Sequence, residues 1–262
     1  MVVLHGGPGA PGHMAPIARK LADQFQVLEP FQRGSGGVPL TVACHVRDLH
    51  ELVEQHCAGE RPALVGASWG AMLALAYAAT HPEHTGPLVL IGCGTFDAAA
   101  RERLQATIST RMSAGLKRQL ARLADEVADP DERLEAVGTL LLPLYAYDPL
   151  TATLEGERCD ARAHHETWAD MVRLQEAGVY PAAIAAIGTP VLMLHGAVDP
   201  HPGPMIRASL ALHLPQLEYR EWERCSHYPW LERVVCDEFF AVLRAWLVRH
   251  LRGDRPDRTC PT

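Results

Sequence analysis

The chain has 262 residues, 48% of them hydrophobic and 21% charged, with 24 Lys+Arg against 31 Asp+Glu for a formal charge of −7. That composition excludes a disordered chain, and the net acidity argues against a nucleic-acid partner, since no broad basic face is available to neutralise a phosphate backbone. No apolar run approaches the ~18–20 residues that span a bilayer, the seven cysteines are widely spaced with no C-x-x-C pair and read as free thiols of a reducing compartment, and nothing at the start reads as a signal peptide, so a cytoplasmic protein with no membrane partner is expected.

Short apolar runs alternate with longer helical patterns along the chain. The strand Val2–Leu4 ends at His5-Gly6-Gly7-Pro8-Gly9, and a helix pattern follows over about 14–24. Gln26–Leu28 ends near Glu29-Pro30, and a helix is predicted over 42–56. Ala63–Val65 ends at Gly66, with a helix over 69–80; Leu88–Ile91 ends at Gly92. Val191–Leu194 ends at His195-Gly196, with a helix over 204–214, and Leu217–Trp222 precedes a last helix over 231–251. Each apolar run is too short for a helix and most are closed by Gly or Pro, so buried strand is the better reading. Strand–helix alternation implies an α/β fold, a mostly parallel sheet with helices on both faces. Ligands bind beyond the carboxyl ends of such strands. The alternation breaks over 95–187, which reads as an inserted helical cap, and the polar segment 253–262 reads as a frayed tail.

Gly66-Ala67-Ser68-Trp69-Gly70 is a G-x-S-x-G set between a strand and an Ala/Leu-rich helix. In that context the turn is tight enough to force the central residue into a strained conformation that holds the Ser68 hydroxyl at the sheet edge. The Trp69 amide then lies at a helix N-terminus, where it can donate to an anion. A serine needs a base, and the base needs an orienting acid. The chain order Ser, acid, His selects Asp199, after the strand Val191–Leu194, and His227, after the last strand. His201 is the rival base and Asp97 the rival acid. The Gly-rich turn after the first strand offers Gly7 as a second oxyanion donor, with His5 as a brace. There is no phosphate-binding glycine signature and no H-E-x-x-H, so neither a cofactor nor a metal is expected.

These segments, with Phe31-Gln32-Arg33-Gly34-Ser35-Gly36, resemble the α/β-hydrolase superfamily and, within it, the proline iminopeptidase branch. The resemblance implies an α/β-hydrolase fold with catalytic domain 1–94 and 188–252, a helical cap over 95–187 and a tail over 253–262. It also implies Ser68 as nucleophile, Asp199 as acid, His227 as base, and Gly7 with Trp69 as oxyanion donors. The sequence departs from the branch in three places. Phe31 stands where the family carries an acidic residue. The W-x-x-W-E element of the cap is absent, and Glu157, Asp160, Glu166 and Asp170 read as a solvated helix face. The usual N-terminal strand pair does not precede the first strand here, so either the start is truncated or Gln26–Leu28 is an edge, expected to be kept short or covered in a homodimer.

The expected activity is hydrolysis of a small carboxylic ester, thioester or lactone through an acyl-enzyme, falling as pH drops through about 6–7 because an imidazole base must be neutral. A proline iminopeptidase-like aminopeptidase and a non-catalytic ligand-binding member of the fold are the alternatives. Tyr145, Tyr147 and Trp168 are the candidate substrate-binding residues of the cap.

Overall fold

The computed structural model describes residues 1–57 and 59–252. Five strands, β1 (Val2–Leu4), β2 (Leu64–Ala67), β3 (Leu88–Ile91), β4 (Val191–Gly196) and β5 (Leu217–Trp222), form one sheet in the order β1-β2-β3-β4-β5. Every pairing is parallel, so all five carboxyl ends meet at one rim.

The period-2 alternation of a strand divides the core in two. Val2, Leu4, Leu64, Leu88, Leu90, Val191 and Met193 face α2 (Val42–His56), α3 (Trp69–Thr80) and α8 (Gly203–Ala211). Val3, Val65, Val89, Ile91, Leu192 and Leu194 face α1 (Ala15–Ala22) and α9 (Cys236–Arg252). α2 is amphipathic, begins at a Thr41 cap and buries Val42, Val46, Leu49 and Val53. α3 has ten buried residues out of 12, as a helix wedged between sheet and other helices must.

Two sequence expectations shift most. Gln26–Leu28 shrinks to a single parallel bridge, Val2 to Leu28; the edge beside β1 is therefore very short, which limits the backbone it offers to another chain. The helix expected over 231–251 starts at Cys236 instead, after a 3₁₀ turn Pro229–Leu231 and an antiparallel bridge between Glu232 and Pro149 that takes Glu232 out of helical pairing. The tail 253–262, with Cys260, lies outside the described residues.

Between β3 and β4 run α4 (Ala98–Arg111), α5 (Ala114–Glu126), α6 (Pro130–Leu141) and α7 (Ala161–Glu176). Asp97, Ser113, Asp129 and Asp160 cap their first amides. Among the described residues no helix is long and apolar enough to cross a membrane.

Candidate active site

Ser68 follows β2 at φ 52°, the only non-glycine at positive φ among the described residues. Such a residue costs about 1–3 kcal/mol and persists only where its surroundings hold it. Here the Ser68 amide donates to the Ile91 carbonyl at 2.8 Å. The flanking glycines are obligatory: a Cβ on Gly66 would lie 2.2 Å from the Gly70 oxygen, and one on Gly70 2.2 Å from the Leu4 oxygen. Ser68 precedes α3 but its hydroxyl makes no capping bond.

At the neighbouring strand ends, His227 Nδ1 lies 2.7 Å from Asp199 Oδ2, and both side chains are buried. The other oxygen of Asp199 accepts from the His201 backbone N–H at 2.9 Å and from its ring Nδ1 at 3.1 Å. His195 Nε2 is 3.4 Å from Oδ2. Burial alone would raise the Asp199 carboxyl; the facing imidazoles of His227, His201 and His195 instead hold it well below the usual carboxylate range. His201 thus shares the aspartate and stacks on the His227 ring, centroids 4.6 Å apart. Asp97, the rival acid, caps α4 through the Ala100 amide.

Ser68 and His227 bracket the end of β3. The Ser68 amide holds Ile91, and a Cβ on Gly92 would lie 3.0 Å from His227 Nδ1. Gly92 takes φ +52° there, so only glycine gives the ring its place without strain. The hydrogen bonds described join His227 to Asp199 and do not reach the Ser68 hydroxyl. Catalytic hydrogen bonds are often long before substrate binds.

The Gly-rich turn after β1 is held by residues that sequence reading passed over. The Gly6 amide donates to His13 Nε2 at 3.0 Å, which leaves Gly7 as the next amide of the turn. A Cβ on Gly6 would meet Ser68 Cβ at 2.9 Å and His13 Nε2 at 3.2 Å, so the turn and the serine are in direct contact. Gln32 ties three elements: its amide donates to His5 Nε2, its side chain donates to the His5 carbonyl, and Trp69 Nε1 donates to its Oε1 at 2.7 Å. His5 is a brace, as expected. Gln32 was visible in the sequence beside Arg33 and Gly34, but nothing local marked His13.

Burial, with the adjacent His5, lowers His13 from the ordinary 6.5 to about 3, so it stays a neutral acceptor. A histidine whose folded value lies below its unfolded one contributes stability that is intact above the unfolded value and is lost as pH falls from there towards the folded value. Burial lowers His45 to about 4, with the same sign. His13→Gln keeps an acceptor for Gly6 but does not titrate. Its Tm, measured from pH 7 to pH 4, is expected to fall less steeply than that of the unaltered protein; parallel curves would rule out the burial of a neutral His13.

A model of the alpha/beta hydrolase family matches residues 1–241. The chain belongs to the α/β-hydrolase family. It is a hydrolase with proline iminopeptidases among its relatives. It is 28% identical over 273 aligned residues to the proline iminopeptidase of Lactobacillus crispatus (strain ST1), covering 95% of this chain and 90% of that one. Among solved structures it resembles a proline iminopeptidase of Mycobacterium smegmatis, with TM-score 0.63, 23% identity and coverage of 97% and 90% of the two chains. It also resembles a thermophilic esterase from Thermogutta terrifontis, with TM-score 0.62, 21% identity and coverage of 95% and 89%. The two structural likenesses speak for the fold.

In this hydrolase the segment between β3 and β4 reaches the rim at two of the three residues expected there. The Tyr145 ring lies 5.3 Å from that of His227, and the Trp168 ring 6.1 Å from that of Trp69. Tyr147 does not join them: it is 47% exposed and lies under the Arg224 guanidinium. Glu232 explains the difference. Its buried carboxylate accepts from the amides of Tyr147 (2.8 Å), Asp148 (2.7 Å) and Ser226 (3.0 Å), and the His227 amide donates to the Tyr145 carbonyl. The clamp binds the His227 turn to the chain at Tyr145–Asp148 and turns Tyr147 outward.

The carboxylates of α7 also depart from expectation. Asp160, Glu166 and Asp170 accept from the backbone amides of Ser35 (2.6 Å), Leu40 (2.8 Å) and Val42 (2.9 Å). Asp160 meets its partner beyond the helix cap, and Glu166 and Asp170 also pair with Arg162 and Arg173. They are not a solvated face: they latch the irregular 35–42 stretch onto α7, satisfying backbone donors that no strand or helix takes up.

Proposed function

We propose that this hydrolase cleaves carboxylic esters and related acyl compounds, thioesters and lactones among them, through an acyl-enzyme on Ser68. His227 takes the Ser68 proton as the hydroxyl attacks the carbonyl, and Asp199 orients the ring and stabilises its charged form. The Gly7 and Trp69 amides hold the oxyanion. His227 then protonates the leaving group and activates water to release the acid. The observation that carries this reading is the 2.7 Å His227–Asp199 pair, buried at the same strand end that the positive-φ Ser68 flanks. Residues 1–94 and 188–252 form the catalytic domain, and 95–187 form a cap whose Tyr145 and Trp168 select the substrate.

The second reading, removal of an N-terminal residue from a peptide, rests on the proline iminopeptidase relative. A substrate with a free amino terminus calls for an uncommitted carboxylate in the cap. Of the four candidates Asp160, Glu166 and Asp170 are engaged by backbone amides and Glu157 alone stays exposed, as expected, which favours acyl substrates without a cationic group. A panel of p-nitrophenyl esters, thioesters, lactones and proline p-nitroanilide decides between them. Turnover of esters at least about 100-fold faster, as kcat/KM, than of proline p-nitroanilide is expected. The reverse ratio would replace the ester reading by the peptidase one, and no turnover with no fluorophosphonate label on Ser68 would leave a ligand-binding member of the family.

A further inference from the structure

A second cluster of chemistry-bearing side chains lies away from the rim. His50 on α2, His81 at the C-terminal end of α3 and His84 in the 3₁₀ turn Pro82–His84 each offer a ring nitrogen, and these nitrogens all lie within 4.8 Å of one another. Ser68 is at the other end of α3, whose 12 residues span about 18 Å. Nothing in the proposed hydrolysis uses these three rings.

Two of the rings are already oriented. Nδ1 of His50 lies 3.3 Å from the Tyr77 hydroxyl, and Nδ1 of His84 lies 2.9 Å from Glu83 Oε1. With Nδ1–H donating to those oxygens, Nε2 of each ring carries the free lone pair, the arrangement by which outer partners fix a metal-binding histidine. Glu54, four residues after His50 on the same helix face, puts Oε1 3.7 Å from His50 Nε2. His81 stacks on His50 at 3.8 Å between centroids and 8° between planes. That contact suits neutral rings and is repulsive between charged ones.

We propose that His50, His81 and His84, with Glu54 beside them, bind a borderline divalent transition-metal ion such as Zn²⁺. Imidazole nitrogens with one carboxylate are a donor set that zinc, copper and nickel take in preference to magnesium or calcium. Zn–N bonds of about 2.0–2.1 Å in a tetrahedral site bring ligand nitrogens to roughly 3.4 Å of each other. The cluster closes by about an ångström, with His81 turning out of its stack and the half-exposed His84 swinging inward. The bound ion ties α2 to the end of α3 and to the turn that follows, and so stabilises the folded chain.

The test uses tag-free full-length chain stripped with chelator and titrated with ZnCl₂ by calorimetry. One Zn²⁺ per chain is expected, with a Tm rise of roughly 5 °C or more at about 100-fold excess over Kd. Co²⁺ is expected to give the visible absorption of a tetrahedral site. His84→Gln, on a half-exposed ring, is expected to weaken Zn²⁺ at least about tenfold and to leave ester hydrolysis unchanged. Because Asp199, His201 and His227 also sit close together, His227→Ala is the control and is expected to bind Zn²⁺ as the unaltered chain does. No binding at 100-fold molar excess of metal, equal affinity in His84→Gln, or binding lost in His227→Ala would each overturn the proposal.

Discussion

Ser68→Ala is expected to lower kcat on p-nitrophenyl esters by about 10⁴-fold or more, the scale seen when an activated serine is removed from a set that acts as a unit. It is also expected to abolish fluorophosphonate labelling. The physical reason is that, among the described residues, only this side chain sits on a non-glycine turn forced into positive φ, between β2 and α3. The fold should survive. Alanine keeps the Ser68 Cβ, which already lies so near Gly6 that a Cβ added there would come within 2.9 Å of it, and the serine hydroxyl caps nothing. Circular dichroism and Tm should therefore stay near those of the unaltered protein while turnover disappears. Ester hydrolysis at wild-type rate in a folded Ser68→Ala would remove Ser68 from the chemistry altogether.

Glu232→Gln is expected to reduce both stability and rate. The carboxylate receives amides from Tyr147 and Ser226 on one oxygen and from Asp148 on the other. A glutamine offers one oxygen and one NH₂, so at least one backbone N–H faces a donor in a buried site. An orphaned buried donor costs about 1–3 kcal/mol, and a loss of roughly 2–3 kcal/mol is expected in urea unfolding. The same clamp holds the His227 turn against the Tyr145 carbonyl, and small displacements of a reacting group are costly in rate. A fall in kcat of about tenfold or more on the same esters accompanies the loss of stability. If Glu232→Gln unfolds and turns over like the parent, the carboxylate is not what joins the two segments.

The layout of the α/β fold was open to sequence reading. Val2–Leu4, Leu88–Ile91 and Leu217–Trp222 stand at the predicted positions, and α2 and α3 at their predicted bounds. Each carries a local signal: an apolar run too short for a helix and mostly closed by glycine, or a 3.6-residue period begun by a cap such as Thr41. β2 and β4, after which the candidate residues Ser68 and Asp199 follow, run two residues past their expected ends, through Gly66 to Ala67 and through His195 to Gly196. The Gln26–Leu28 strand and the first turns of the last helix failed for a common reason. A strand is held by its ladder to a neighbour, and beside Leu28 that ladder is a single bridge to Val2. At Glu232 the backbone bridges to Pro149, a distant segment that no local period announces.

What the sequence determined by itself is the α/β alternation and the chemistry available at each strand end, because hydrophobic period and glycine punctuation act over a few neighbouring residues. What only the tertiary structure decided is which polar groups meet. Glu232 reaches amides 84 and 85 positions away, and the carboxylates of α7 reach amides 125 to 128 positions away. His13 sits under the Gly6 amide, and Tyr145 rather than Tyr147 faces His227. Buried backbone donors must be satisfied by whatever acceptor the packed chain brings within about 3 Å, and that pairing is written in three dimensions, with no trace in the local pattern of residues.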